Sequence, residues 1–477
     1  MGANDFTALL PLLIVAATVI VVMLAVAVHR NHAVSASLAF LGLAAAFASL
    51  RLAGSVVPRP VTPLLMLDGY GLFYIGLILA ASMVVVILCF IYFEPCEGDH
   101  DEIYMLLLVA TLGSTVLVAS SHFVSLLLGL ELLSVALYGM IAYRRSQALS
   151  LEAGIKYLVL AAASAAFLLF GMALVYGALG TMQFGEIASR LRAQDLDGWL
   201  VLPGMALMVT GFGFKLAVVP FHLWTPDVYE GASAPVTAYI ATVSKGAMFA
   251  LLLRYFYSSG AHELAPVFLV FSIVAVASMF AGNILALLQN NVKRILAYSS
   301  IAHLGYILVA FQAAGDLGPT AITFYLVAYF VTTLGAFGVV SVLSRPERDA
   351  DRLEDYQGLF WRRPAVAAIF TAMLLSLAGI PVTAGFIGKF YVVAAGASAA
   401  MWAPIIILVV TSAIGLFYYL RIVVALYAPS REPRAVETRV GVPGAVVLAI
   451  LAICLVWFGV FPGPLVALIR QALTGAV

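Results

Sequence analysis

The sequence predicts an all-α polytopic membrane protein with about fourteen transmembrane helices, two of them broken. Of the 477 residues, 64% are hydrophobic and 10% are charged, whereas soluble domains carry about a quarter charged residues. The mean hydropathy is +1.10. Long apolar runs recur along the whole chain, and in two of them a proline, Pro220 or Pro381, lies where a helix break is expected. These features are typical of a helical bundle that crosses a bilayer many times.

The composition also excludes several classes of function. The formal net charge is +1 and no basic run is interleaved with aromatic residues, so we expect no nucleic-acid partner. Cys89, Cys96 and Cys454 are too few and too scattered for an iron–sulfur cluster or a disulfide framework. No Walker loop is present, and residues 211–213 lack the third glycine of a dinucleotide fingerprint. We therefore expect no cofactor or metal ion in this chain.

The apolar runs are long enough to be counted as spans, since about 20 apolar residues cross the ~30 Å hydrocarbon layer. No basic residues precede the first run and no cleavage pattern follows it, so it is expected to be a retained helix rather than a signal peptide. The predicted spans are 6–28, 33–53, 70–93, 103–119, 121–142, 156–179, 199–224, 235–257, 264–288, 295–313, 318–343, 364–396, 401–427 and 441–461.

Lysines and arginines collect in alternate loops, as the positive-inside rule requires. One set of loops holds fourteen of them: Arg30, Arg144, Arg145, Lys156, Lys293, Arg294, Arg345, Arg348, Arg352, Arg362, Arg363, Arg431, Arg434 and Arg439. The opposite set and the tail hold five: Arg51, Arg59, Arg190, Arg192 and Arg470. This asymmetry predicts an even number of spans with both termini on the outer side of the membrane. Residues 185–197 are expected to form an amphipathic helix on that surface.

Two spans are expected to be broken helices. The seventh contains Pro220, and the twelfth contains Pro381 between Gly379 and Gly385. They lie five spans apart and so cross in opposite directions, which predicts two inverted five-helix repeats, spans 4–8 and 9–13. The predicted division is 1–102 (three helices), 103–258 (first repeat), 259–430 (second repeat) and 431–477 (C-terminal helix).

The charged residues inside the spans are mainly lysines. The chain has five lysines and nineteen arginines, and Lys215, Lys245 and Lys389 fall within apolar runs. Burial can take the proton from a lysine, whereas arginine keeps its charge. Arg254 and Arg421 lie nearer to span ends and are expected to snorkel to the interface. This distribution indicates proton handling within the membrane.

Glu131 lies near the centre of span five, where a charge costs roughly 2.5 to 3.5 kcal/mol on insertion scales. Pairing with Lys215 would reduce that cost, so we expect the two to meet; a purely structural ion pair is the alternative. His303 in span ten occupies the position that repeat symmetry assigns as the counterpart of Glu131. An imidazole there could relay protons near neutral pH.

Other polar residues have structural interpretations that the sequence leaves open. Lys389 could cap carbonyls that the helix break frees, and His303 could bond a neighbouring backbone group. Lys156 is expected to anchor the chain at the interface. Asp227 and Glu230 are expected either to cap the reopened helix or to line a cytoplasmic route for proton uptake.

Three motifs together resemble one family. They are GFGFKLAVVPFHLWTPDVYEGASAPVTAYIATVSKGA (211–247), NVKRILAYSSIAHLGYIL (291–308) and GIPVTAGFIGKFYV (379–392). They resemble subunit N of proton-pumping NADH:quinone oxidoreductase, respiratory complex I, and the resemblance covers essentially the whole chain. Lys389 and the TPDVYEG segment favour this subunit over related antiporter-like subunits. In those subunits glutamate is expected at the position of Lys389. One departure is that Ser233 and Ala234 precede the proline that usually follows Glu-Gly closely.

The resemblance implies roles for individual residues. Glu131 and Lys215 correspond to a paired carboxylate and lysine, Lys245 to the lysine of the central axis, and Lys389 to the lysine on the exit side. The implied fold is fourteen helices with two inverted repeats and broken helices seven and twelve. His303 remains a possible relay by repeat symmetry alone.

The implied function is proton translocation by one subunit of a translocase. The implied partners are the other membrane-arm subunits and the lipid bilayer, with FMN and iron–sulfur clusters in partner subunits and NADH and quinone bound elsewhere in the complex. Two alternatives stay open. One is a subunit of a multisubunit sodium/proton antiporter or membrane-bound hydrogenase, and the other is a membrane scaffold that transports nothing.

Overall fold

The protein is an almost wholly helical bundle. A computed structural model describes residues 2–193, 199–261, 264–313, 315, 317–429 and 441–474. The first helices are α1 Ala3–Val28, α2 His32–Gly54, α3 Gly69–Phe93, α4 Glu102–Ala119, α5 Phe123–Ile141, α6 Ala148–Leu179, α7 Phe184–Ala193, α8 Val201–Leu216, α9 Trp224–Gly231, α10 Ala234–Tyr239 and α11 Lys245–Ser259. The remaining helices are α12 Ala265–Leu287, α13 Val292–Gln312, α14 Leu317–Leu343, α15 Leu359–Arg362, α16 Pro364–Ala378, α17 Ala384–Ser398, α18 Trp402–Tyr427, α19 Val442–Val460 and α20 Gly463–Leu473.

The predicted membrane-spanning class is confirmed. Among the described residues, 12 helices are long and apolar enough to cross a bilayer, counting α10 and α11 as one continuous element. The total of fourteen stays a prediction, because it requires the two interrupted elements to cross as well. Observed and predicted limits agree closely except at α6, which begins at Ala148. Glu152 and Lys156 lie one turn apart on this helix and form a 2.6 Å ion pair that supports the extra turns.

Both spans that are predicted to be broken are interrupted where the sequence predicts. The helix α8 ends at Ala217, whose φ is 60°, and α9 begins after the turn that contains Pro220. The helix α16 ends at Gly379, whose φ is 86°, and Thr383 caps the start of α17. A left-handed residue stops the helical hydrogen-bond pattern, and glycine adopts that conformation without a steric penalty. Each interruption leaves backbone carbonyls available inside the bundle.

The centre of the bundle is formed by three spans. The continuous helix Ala234–Ser259 is 100% buried over its most apolar window, and α13 and α14 are each 94% buried. By contrast, α1, α2, α6, α18 and α19 are 33% buried and form the periphery. Between α10 and α11 lies a π-helical turn, Ile240–Ser244, which ends directly before Lys245. The most protected helices are therefore those that carry Lys245 and His303.

Some elements differ from the sequence-based expectation. A short hairpin pairs β1 Arg59–Thr62 with β2 Leu65–Leu67 in antiparallel register before α3. The segment predicted to hold one C-terminal helix holds two, α19 and α20, because Pro462 interrupts the backbone hydrogen bonds between them. The predicted surface helix is present as α7, but residues 194–197 lie outside the described part of the chain. So do Arg431, Arg434 and Arg439 of the charge asymmetry.

The expectation that Arg254 snorkels to the interface is wrong. Its guanidinium donates two 2.8 Å hydrogen bonds to the carboxylate of Asp68, the N-cap residue of α3, and a third to the carbonyl of Val118. Arg254 and Asp68 are both 5% exposed. A bidentate pair compensates for the loss of water around both charges, so the arginine is held inside the protein.

Candidate site in the centre of the bundle

Lys215 lies at the broken seventh helix and is 4% exposed. Its amine donates a 2.7 Å hydrogen bond to the Ser134 hydroxyl and a 3.4 Å hydrogen bond to the Tyr157 hydroxyl. Glu131 precedes Ser134 by one turn of α5, but among the described residues Glu131 and Lys215 form no ion pair within 4 Å. The expected direct contact is replaced by the intervening serine. The carboxylate therefore acts on the amine from a distance, through the low-polarity interior.

Glu131 is half-buried and lies on the face of α5 that also exposes Leu128 and Val135, each 60% exposed. Residues three and four apart share one face of a helix, so the carboxylate reaches the surface of the chain at membrane depth. A carboxylate in contact with lipid is costly. This face of α5 is thus a surface that requires a polar environment.

Lys245 lies in the most buried helix and is 1% exposed. Its amine donates a 2.6 Å hydrogen bond to the Ser300 hydroxyl of α13, and the Tyr329 hydroxyl of α14 donates to the same oxygen at 2.6 Å. The amine also lies 5.3 Å from the centre of the Tyr229 ring, in reach of a cation–π interaction. A serine oxygen has two lone pairs and can accept both bonds. The three central helices therefore meet at one hydroxyl group.

His303 follows Ser300 on α13 and contacts two tyrosines. Its Nδ1 lies 2.7 Å from the Tyr325 hydroxyl, and its Nε2 lies 3.2 Å from the Tyr419 hydroxyl. Both ring nitrogens of His303 thus contact tyrosine hydroxyls, and the alternative of a bond to a neighbouring backbone group is wrong. The ring of Tyr329, whose hydroxyl donates to Ser300, lies 5.7 Å from the imidazole, centre to centre. The histidine thus adjoins the Lys245 group.

Lys389 lies in the second half of the broken twelfth helix and reaches back to the first half. Its amine donates to the carbonyls of Leu377 and Ala378, each at 2.9 Å, and to the Ser412 hydroxyl at 2.7 Å. It also lies 5.2 Å from the centre of the Tyr306 ring. The capping interpretation is therefore correct as geometry. This geometry does not exclude proton transfer, because the amine also contacts the Ser412 hydroxyl and the Tyr306 ring.

A small cavity joins the histidine group to the broken twelfth helix. It measures about 10 Å³ and is lined by His303, Tyr329, Leu377 and Gly385, among others. That volume is close to the minimum that one water molecule requires, and the lining supplies several polar partners. Hydrogen bonds join Lys245 and Tyr329 to Ser300, a ring contact of 5.7 Å joins Tyr329 to His303, and His303 lines this cavity. These four residues form the central row of the bundle. No hydrogen-bonded partner shared by Lys215 and Lys245 is present in the described part of the chain.

A second polar group lies at the end of the bundle where Arg144 and Arg145 are found. Lys156 contacts Asp227 at 2.9 Å, so it joins an ion-pair group instead of serving only as an anchor. Arg294 contacts both Asp227, at 2.8 Å, and Glu230, at 2.7 Å. The two acidic residues of α9 are therefore held by cations from α6 and α13.

The loop between α14 and α15 closes over this group. Burial raises the pKa of the Asp351 carboxyl above its usual value, although the charge of Lys293 and a hydrogen bond from Asn291 act in the opposite direction. The Asn291 amide donates to Asp351 at 2.6 Å and to Glu230 at 3.1 Å. The loop is thus tied to α9 by side chains at the start of α13.

Sequence reasoning missed the hydroxyl groups and one lysine. Ser134, Ser300 and Ser412 each accept a bond from a buried lysine, yet a serine within an apolar run is common and carries no distinctive signal. Lys293 was counted as a loop charge, although it is 1% exposed. Its place seven residues before Ser300, on the same face of α13, is the pattern that could have indicated burial.

Comparison with known proteins identifies the family of this chain. A family profile described as "NADH:quinone oxidoreductase/Mrp antiporter, TM" matches residues 120–415. NADH-quinone oxidoreductase subunit N of Nitrosospira multiformis is 54% identical over 98% of this chain and 96% of its own length. The chain belongs to the subunit N family of NADH-quinone oxidoreductases. As a subunit N family member, it is part of an enzyme complex that works in a membrane.

Solved structures agree with this assignment. A chain of respiratory complex I from Thermus thermophilus, solved with bound aureothin, superimposes with a TM-score of 0.83 and 34% identity, over 96% of this chain and 98% of that chain. Two more distant structures share the fold alone. One is the archaeal membrane-bound sulfane sulfur reductase (TM-score 0.83, 22% identity, 98% of this chain and 97% of that one). The other is the Mrp complex of a Dietzia species (TM-score 0.85, 21% identity, 99% and 97%).

The subunit N family member shows no grouping of three or more His, Cys, Asp or Glu side chains that could hold a metal ion, within the residues that the structure describes. Cys89 is buried, while Cys96 and Cys454 are partly buried, and all three are free thiols. The polar groups of its centre are amines, hydroxyls and one imidazole. Such groups can exchange protons with each other and with water.

Proposed function

We propose that this chain moves protons across the membrane as one subunit of a complex that oxidises NADH and reduces quinone in other subunits. The observation that carries the proposal is the contact of the Lys245 amine with Ser300, at 2.6 Å, inside the most buried helix of the bundle. An amine enclosed by hydroxyls and aromatic rings can be charged and discharged. A structural ion pair would instead have a carboxylate as its partner.

In this proposal a proton is taken up on the cytoplasmic side, beside the broken seventh helix, and charges Lys215 or Lys245. It then passes to Ser300 and Tyr329, whose hydroxyls have to turn for this transfer because Tyr329 donates to Ser300 in the structure. From there it moves through His303 and the small cavity to Lys389 and the outer side. The free carbonyls of the broken twelfth helix stabilise the charge on Lys389. Glu131, together with Lys215, biases the transfer when a neighbouring subunit changes the environment of its carboxylate.

The energetic demand is modest. Moving one charge against the membrane potential costs about 2.3 kcal/mol per 100 mV. Interactions of one charge with another at about 4 Å reach roughly 4 kcal/mol near a protein surface. A rearrangement that brings the Glu131 carboxylate to about 4 Å from the Lys215 amine is thus of the right size to drive one proton.

The finer features of the proposal follow from the same hypothesis. The first and second inverted repeats (103–258 and 259–430) supply the uptake half and the release half. Both termini lie on the outer side of a bacterial inner membrane. Other membrane-arm subunits cover the face of α5 that presents Glu131. This chain holds no redox centre, and FMN and the iron–sulfur clusters belong to partner subunits, as do the sites for NADH and quinone.

The experiment is proton pumping by inverted membrane vesicles that receive NADH and quinone. Lys215→Met, Lys245→Met and Glu131→Gln complexes are compared with the parent complex, and Arg51→Gln, which removes an exposed cation at a span end, is the matched control. We expect assembled variants to lose protons pumped per electron while the control keeps the parent ratio. A normal ratio in all three variants would show that these residues do not carry protons and would favour a scaffold. Sodium exchange without NADH:quinone activity would favour the antiporter alternative.

A further inference from the structure

Lys293 is a further buried lysine, 1% exposed, and it lies apart from the central row. It occupies the first turn of α13. Its amine donates to the carbonyl of Glu230 at 2.9 Å, to the carbonyl of Ala232 at 2.6 Å and to the carboxylate of Asp349 at 2.5 Å. The two carbonyls lie where α9 ends, and a helix end leaves carbonyls without partners in the helix. The ammonium group therefore ties the loop after α14 to the linker between α9 and α10.

This linker leads directly into the helix that carries Lys245. The helix α10 begins at Ala234 and continues through the π-helical turn into α11, which starts at Lys245. A rigid helix transmits a displacement of its first turn along its axis. Fixing the carbonyl of Ala232 thus fixes the height of the Lys245 amine in the bundle.

The same helix α13 holds both ends of this arrangement. Lys293 donates to the Ala232 carbonyl of the linker, and Ser300, two turns further on, accepts the hydrogen bond from Lys245. Residues seven apart lie on one face of a helix. A shift of the linker by one residue moves the amine by about 1.5 Å, which is enough to break a hydrogen bond.

Asp349 is itself held by residues outside its own loop, so the contact of Lys293 with the linker does not change when the loop moves. The Tyr92 hydroxyl at the end of α3 donates to this carboxylate, and the Arg144 guanidinium lies 3.9 Å from it. Arg144 also donates to the Tyr92 hydroxyl at 2.6 Å. The charges near Lys293 are thus the bonded carboxylate of Asp349, the carboxyl of Asp351 further away and two carbonyl dipoles, with the Arg144 guanidinium behind Asp349.

The contacts of Lys293 parallel those of Lys389. Each amine binds two carbonyls at the C-terminal end of a short helix, α9 for Lys293 and α16 for Lys389, and one side-chain oxygen. The third partner differs: it is the carboxylate of Asp349 for Lys293 and the hydroxyl of Ser412 for Lys389. Charge-assisted bonds to a carboxylate are stronger than bonds to a hydroxyl. Lys293 is therefore suited to a fixed role, and Lys389 to an exchangeable one.

We propose that Lys293 is a positioning residue, which sets the register of Lys245 against Ser300 through the linker between α9 and α10. This inference rests on the proposed function, because it assumes that the contact between Lys245 and Ser300 belongs to the proton route. Arg294 acts differently, since it holds the side chains of Asp227 and Glu230 and not the linker backbone.

The test is a double-mutant cycle on protons pumped per electron, measured in vesicles with the whole complex. The variants are Lys293→Met, Ser300→Ala and the double variant, with Arg362→Gln as control. Arg362 is an exposed cation after the same loop, and it donates to the carbonyl of Gln357, away from Asp349 and the linker. We expect each single variant to lose pumping, the double variant to lose no more than the worse single, and the control to pump normally. Additive losses, or normal pumping by Lys293→Met, would overturn the proposal.

Two further variants keep the test decisive if Lys293→Met fails to assemble. Asp349→Asn retains the two carbonyl contacts and removes the carboxylate charge, and Lys293→Arg retains the cation with a different shape. We expect both to give partial losses that are again non-additive with Ser300→Ala; additive losses count against the proposal. Lys245→Met separates the two hypotheses. If it lowers pumping and the Lys293 series does not, only this inference fails, whereas normal pumping by Lys245→Met contradicts the proposed function itself.

Discussion

The amine of Lys245 and the hydroxyl of Tyr329 both donate to the oxygen of Ser300, each at 2.6 Å. These three residues come from the three most buried spans of the protein. Hydrogen bonds to the Ser300 hydroxyl therefore connect all three central helices. Ser300 also lies one turn from His303, which links the contact to the second half of the bundle.

Ser300→Ala removes the acceptor that Lys245 and Tyr329 share. We expect a loss of protons pumped per electron, because both donors lose their partner inside the bundle, and a stability cost of about 1–3 kcal/mol for groups left without a hydrogen bond. Ser189→Ala is the control, since Ser189 is exposed and bonds only to the carbonyl of Glu186 in its own helix. Equal pumping ratios in the two variants would contradict the role of Ser300.

Lys389→Met leaves the carbonyls of Leu377 and Ala378 without their shared donor. Since each unsatisfied buried carbonyl costs about 1–3 kcal/mol, we expect a lower temperature of thermal inactivation as well as lost pumping. Ser412→Ala removes one contact of the amine and a longer, 3.4 Å bond from the Ser412 hydroxyl to the Ala378 carbonyl, and it keeps both bonds from the amine to the carbonyls. It should retain the parent thermal stability, and a variant as unstable as Lys389→Met would show that capping is not the stabilising contact.

Asp68→Asn leaves the guanidinium of Arg254 buried without a counter-charge. Breaking a buried pair on one side costs about 3–5 kcal/mol, whereas replacing both partners by apolar residues is often neutral. We therefore expect Asp68→Asn to assemble poorly and Asp68→Leu with Arg254→Met to assemble better, as measured by complex yield. The exposed pair of Arg30 and Asp99 is the control, and Asp99→Asn should leave the yield unchanged. The reverse ranking of the single and double variants would refute this account.

Gly385→Ala tests the close approach of the two halves of the twelfth helix. A β-carbon at Gly385 would overlap the carbonyl oxygen of Ser376, so the halves would have to separate and the variant should be unstable. Gly177→Ala in α6 meets no atom within 4 Å and should be tolerated or slightly stabilising. Thermal inactivation of the two complexes is the measurement, and equal stability would argue against the packing seen here.

The Asp351 carboxyl offers a dependence on pH, since its pKa is raised by burial. The folded state then binds a proton more tightly than the unfolded state, so ionisation opposes folding. As pH rises from about 4, the usual value for aspartate, through the raised value, the parent should lose stability relative to Asp351→Asn. Thermal inactivation across this acidic range measures the difference. A constant difference between the two proteins would mean that Asp351 does not titrate there.

Much of the fold could be predicted because membrane insertion depends on the hydrophobicity of each local segment of the chain. Apolar runs of sufficient length gave the limits of most spans, and Pro220 and Pro381 marked both interruptions. The second helix of the C-terminal segment was missed, because α20 is too short to read as a span and carries Arg470 in its last turn. Arg254 was misplaced, since its partner Asp68 lies far away in sequence and only folding brings the two together.

The sequence by itself determined that four charges fall within apolar spans, but not that Arg254 is buried as well. Hydrophobicity is a property of each segment, so Glu131, Lys215, Lys245 and Lys389 could be placed in the apolar layer without knowing how helices pack. Only the tertiary structure decided what each amine touches: hydroxyls for Lys215 and Lys245, and freed carbonyls with a hydroxyl for Lys389. A hydrogen bond depends on distances between helices remote in sequence, and on rotations that hydrophobicity leaves free. Those same rotations put Ser134 where a direct contact between Glu131 and Lys215 was expected.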